Sequence, residues 1–87
     1  MKFTLKLNSI SCIKRFVQLN SSMPFHIDVS SGRYIVDGKS IMGIFSIDTS
    51  KPIDCSINTE NQDLIGLYKG RLAQIPEIEV MNIGRNN

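Results

Sequence analysis

Residues 2–8 alternate strictly, with Phe3, Leu5 and Leu7 on one side and Lys2, Thr4, Lys6 and Asn8 on the other. A period of two predicts a strand with one wet face. Ser9 follows in the place of a helix N-cap, where its hydroxyl can accept a bond from a free helix N–H. Ile10, Ile13, Phe16, Val17 and Asn20 then recur at helical spacing, so residues 10–20 are expected to form an amphipathic helix. Ser21-Ser22-Met23-Pro24 ends it, because proline disfavours helix in the residue before it.

A second alternation begins at once, with Phe25, Ile27 and Val29 inward and His26, Asp28 and Ser30 outward. Ser31-Gly32 signals a turn, and Arg33-Tyr34-Ile35-Val36 is predicted to return as the other half of a hairpin. Asp37-Gly38 breaks that strand, and Ser40 is placed to cap a short helix reaching about Phe45. After the Thr49-Ser50-Lys51-Pro52 loop, Ile53, Cys55 and Ile57 alternate with Asp54 and Ser56 as a fourth strand. Thr59 with Gln62 has the form of a capping box. Leu64, Ile65, Leu67, Tyr68 and Leu72 then define one side of a closing helix, with Gly66 and Gly70 opposite. Residues 76–87 are expected to be a partly disordered extension of a domain spanning 1–75; Ile78, Val80, Met81 and Ile83 are its apolar group, and the end from Gly84 is expected to fray.

The order is therefore β-α-β-β-α-β-α. Four half-wet strands suit an antiparallel sheet covered on one face by three helices, an α+β fold. A length of 87 residues supports one domain with a single modest core. Hydrophobic and charged contents of 41% and 21% are ordinary for a folded chain, which argues against disorder. The net charge of +2 comes from cations scattered among acids, without a basic stripe, so nucleic acid is not the expected partner. Cys12 and Cys55 are far apart and belong to no CxxC pair; they are expected as small buried thiols of a reducing compartment. The charged start Met1-Lys2-Phe3-Thr4-Leu5-Lys6-Leu7 fits neither a signal peptide nor a membrane span, so a cytoplasmic protein with no membrane association is expected.

The segment Gly38-Lys39-Ser40-Ile41-Met42-Gly43-Ile44-Phe45-Ser46, with Ser50-Lys51-Pro52-Ile53-Asp54 after it, resembles the regulatory-serine region of HPr. HPr is the small phosphocarrier of the bacterial sugar phosphotransferase system. The resemblance covers roughly residues 2–75 and is strongest over Lys39–Gly43. It implies the family's open-faced β-sandwich, the same element order that the periodicity predicts. It also implies that Ser40 is a candidate for phosphorylation by an HPr-type kinase, and that Ile41 and Met42 are candidates for docking partner proteins.

The family's carrier chemistry does not transfer. It rests on a Gly-x-His-x-Arg-Pro motif before the first helix, where an imidazole takes the phosphoryl group and the helix N-terminus and arginine stabilise its charge. Here Asn8, Ser9 and Ser11 stand in a loop, Asn8-Ser9-Ile10-Ser11-Cys12, that offers no imidazole, guanidinium or proline. Lys14 and Arg15 fall on the solvent side of the helix, and His26 lies on the wet face of a strand, two elements away.

Plainer roles stand beside these. Serine is a preferred N-cap whether or not a kinase meets it. Ile41, Ile44 and Phe45 can share the inward side of their short helix, which leaves Met42 as the exposed contact. Asp28, Asp37, Asp48 and Asp54 divide between turns and wet strand positions, so no metal site, cofactor or catalytic constellation is expected. The sequence thus points to a non-catalytic HPr-like regulatory or interaction protein, with an HPr-type kinase, a transcriptional regulator or a metabolic enzyme as partner. The alternative is an adaptor or oligomerisation module on the same scaffold, binding through its edge strands or tail.

Overall fold

The period-two segments pair into one antiparallel sheet in the computed structural model, which describes residues 1–84. The elements are β1 (Lys2–Leu7), α1 (Ile10–Ser21), β2 (Ile27–Ser31), β3 (Tyr34–Asp37), α2 (Ile41–Phe45), β4 (Ile53–Ile57), α3 (Gln62–Ala73) and β5 (Ile78–Gly84). The sheet order is β3-β2-β4-β1-β5. Phe3 pairs with Cys55, Leu5 with Ile53, Ile27 with Ile57 and Val29 with Cys55, so the inward residues of the central strands lie in ranks on the helix side. None of Phe3, Leu5, Leu7, Phe25, Ile27, Val29, Ile53, Cys55 and Ile57 is more than 6% exposed. A slip of one residue would have turned any of these strands inside out, so each register agrees with its alternation. Tyr68 of α3 enters this layer edge-on to Phe3 and Phe25, with ring centroids 5.6 and 5.8 Å away.

The sheet has five strands, not the expected four. Residues 78–84, expected within a partly disordered extension, form β5 along the free side of β1. Leu7 pairs with Ile78, Leu5 with Val80 and Phe3 with Ile83, and a bulge between Val80 and Asn82 leaves Met81 over. Ile78, Val80 and Ile83 therefore share the helix side despite irregular spacing, because a bulge shifts the alternation by one. Residues 85–87 lie outside the described residues.

Three local expectations are also revised. The cap of α3 is Asn61, whose Oδ1 accepts from the amides of Asp63 (3.0 Å) and Leu64 (3.2 Å); Thr59 instead accepts from the amide of Asn61. Asparagine is a better cap than threonine, and Asn61 stands nearer the first turn. Ile10 is 63% exposed, because Cys12, Phe16, Leu19 and Asn20 rotate the buried arc of α1 away from it. Phe45 and Leu67, expected inside, are 44% and 43% exposed. No helix among the described residues is long and apolar enough to cross a membrane.

Candidate functional site

Ser40 sits at the end of a tightly tied turn. The Asp37 carboxylate accepts from the Lys39 amide (2.9 Å), the Asp37 carbonyl accepts from the Ser40 amide (3.1 Å), and the Gly38 amide donates to Ile27 O (2.8 Å). Ser40 Oγ accepts from the Gly43 amide at 3.1 Å, the N-cap bond expected of it. Lys39 reaches back over the end of α1, its ammonium donating to Met23 O at 2.9 Å. In α2, Ile44 is fully buried and Ile41 packs half-buried against the core, while Met42 stands 74% exposed. Of the two docking candidates, Met42 presents its side chain to solvent and Ile41 mainly anchors the helix. Removing the cap with Ser40→Ala should cost about 1 kcal/mol in thermal or urea unfolding, whereas Ser40→Asp should preserve most of it.

Beneath this turn lies a polar cluster that sequence periodicity placed on the inward face of α1 without showing its role. Asn20 is 0% exposed. Its amide donates to Gly38 O (2.8 Å), and its Oδ1 accepts from the Tyr68 hydroxyl (2.6 Å). The Tyr68 oxygen lies 3.4 Å from Cys55 Sγ. One asparagine thus ties α1 to the turn before Ser40 and to α3. Burial pushes the Cys55 thiol up to about 12 and raises Tyr68 as well, so both stay neutral and serve as hydrogen-bonding groups. Cys12 is also a buried free thiol.

The loop before α1 is occupied by structural bonds. Ser9 Oγ caps α1 by accepting from the Cys12 amide at 3.0 Å. Asn8 donates twice to the carbonyl of Glu77, from its backbone (3.2 Å) and from its side chain (3.0 Å). Glu77 has φ 70°, a left-handed conformation rare outside glycine, and Asn8 pins it where the chain turns into β5. Ser11 is exposed on the first turn of α1, as are Lys14 and Arg15 further along. His26 is exposed and held by Asp28, with Nε2 2.8 Å from Oδ1. Asp48 faces the Ser50 hydroxyl and amide, which lower its carboxyl pKa, and Asp54 accepts from Thr4 Oγ1 at 2.9 Å. Among the described residues no three His, Cys, Asp or Glu side chains gather as a metal site.

No protein-family model matches the sequence, and no curated protein does. Among solved structures, the crystal structure of HPr-C-His from Thermoanaerobacter tengcongensis is similar, with a TM-score of 0.59 and 21% identity. The likeness covers 85% of this chain and 94% of that one. This chain has an HPr-like fold. The identity is low enough that the likeness concerns architecture alone. Beyond the residues expected from sequence, folding brings Arg15 of α1 and Arg71 of α3 to one groove, a juxtaposition that scattered charges in the sequence did not signal.

Proposed function

We propose that this chain is a non-catalytic regulatory or interaction protein related to the bacterial sugar phosphotransferase system, acting in the cytoplasm through the Ser40 helix. The observation that carries this reading is the pairing, on an HPr-like fold, of a helix-capping Ser40 with an exposed Met42 two residues on. A phosphate on Ser40 would add about −1.5 to −2 charge beside that contact residue, which changes a docking surface more than a core. The partners this favours are an HPr-type kinase and a transcriptional regulator or metabolic enzyme that distinguishes the two forms. Labelling by an HPr kinase with ATP is the test, with phosphate expected on Ser40.

Histidine-based phosphoryl transfer has no place in this reading. Where the family has its imidazole, Ser9 is engaged as a helix cap and Asn8 as a clamp on Glu77. Phosphoenolpyruvate with the system's first enzyme is expected to leave the chain unlabelled. Acid-labile, base-stable phosphate on the intact protein would contradict that, and mapping it to His26 would identify a carrier of another design. A second reading, an adaptor or oligomerisation module, is favoured by β5: it is an edge strand with Val80, Met81 and Ile83 exposed by 41, 54 and 38%.

A further inference from the structure

Arg15 and Gln18 of α1 line one open groove of about 520 Å3 together with Arg71 of α3 and Gln74, the residue that caps its C-terminal end. Leu19, 9% exposed, and the half-buried Ile75 supply its apolar base. No carboxylate of the described residues lines it, and the His26–Asp28 contact lies elsewhere. Two like charges sharing a groove repel one another, and no side-chain carboxylate among the lining residues offsets them. Residues 1–27 contain Lys2, Lys6, Lys14 and Arg15 and no Asp or Glu, so α1 has no acid to answer Arg15. The acid of α3, Asp63, is in its first turn and about 12 Å along the axis from Arg71. The helix dipole accounts for a cation in the last turn of α3, where Arg71 stands. It does not account for Arg15 in the middle of α1.

We propose that this groove docks an acidic segment of a partner protein, with carboxylates on Arg15 and Arg71 and an apolar side chain on Leu19 and Ile75. The planar guanidinium fork matches a carboxylate bidentately, which a lysine in its place would not do. The apolar base between the charges favours a peptide over a nucleic acid, since no aromatic side chain lines the groove to stack a base. The site is separate from the Ser40 surface, because α2 contributes nothing to its lining. It therefore stands whether or not Ser40 is modified.

The test is titration of the full chain with a fluorescent peptide of alternating glutamate and leucine, read by anisotropy at fixed salt. Three proteins are compared: the natural chain, Arg15→Gln/Arg71→Gln, and Lys14→Gln/Lys69→Gln. The last removes the same charge from exposed side chains outside the groove. Melting curves confirm that all three are folded. Saturable binding that falls at least about tenfold in the arginine pair and less than about threefold in the lysine pair is expected. Absence of binding, equal losses in both pairs, or equal binding of a glutamine-for-glutamate peptide would overturn the proposal. So would an arginine-dependent single-stranded oligonucleotide that binds more tightly than the peptide, which would assign the groove to nucleic acid.

Discussion

Gly38→Ala is expected to destabilise the protein by about 3 kcal/mol and to lower its melting temperature by more than about 10 °C. A methyl group on Gly38 would stand 2.6 Å from Ile27 Cγ2, 3.1 Å from Ile27 O and 3.2 Å from Asn20 Nδ2. Ile27 is fully buried in β2, so it has no free direction in which to yield. The new carbon also pushes against the two hydrogen bonds that hold the turn, Gly38 N to Ile27 O and Asn20 Nδ2 to Gly38 O. The requirement is for space and not for backbone freedom, since Gly32 is the described glycine with a left-handed φ. The same substitution at Gly66 or Gly70 meets nothing within 4 Å on the exposed side of α3. There alanine should stabilise by roughly 0.5–1 kcal/mol through helix propensity. Opposite signs in parallel urea melts would locate the effect in the packed turn. Equal and small effects would mean that the turn before Ser40 is looser than described.

Asn20→Ala should cost roughly 2–4 kcal/mol, because it leaves Gly38 O without its amide donor and deprives the Tyr68 hydroxyl of its acceptor, all in a site closed to water. Tyr68→Phe is the milder cut. It keeps the ring packed on Phe3 and Phe25 but orphans Asn20 Oδ1, for a loss of roughly 1–3 kcal/mol. The double variant should lose less than the sum by roughly 0.5–3 kcal/mol, since each single change already breaks the shared 2.6 Å bond. Simple additivity in a double-mutant cycle would contradict that bond. The cluster has a bearing on the site as well: it joins α1, α3 and the turn that presents Ser40, so its loss should loosen α2 before it unfolds the sheet.

The strands buried on one face were legible because each alternates without a break, and the caps at Ser9 and Ser40 because serine before an apolar-periodic run has a local cause. β5 escaped the same reasoning because its bulge at Met81 breaks the period of two, and because its partner β1 lies at the opposite end of the sequence. Asn20 was visible as an inward position, but nothing local reveals that a polar side chain there has partners on two other elements. Arg15 and Arg71 likewise meet only through the packing of α1 on α3. At the Ser40 helix the geometry agrees with the helical spacing in turning Met42 outward and Ile41 toward the core, but turns Phe45, expected inside, partly outward.

The most direct measurement is site-mapped mass spectrometry of the intact chain after incubation with a Gram-positive HPr kinase and ATP, beside an ordinary HPr and the Ser40→Ala variant. One phosphate on Ser40, stable to acid and absent from the variant, is the predicted result. Labelling of Ser46 or Ser50 instead would show that the alignment with the regulatory serine is out of register. No incorporation under conditions that label ordinary HPr would contradict the proposed role and leave Ser40 as a helix cap.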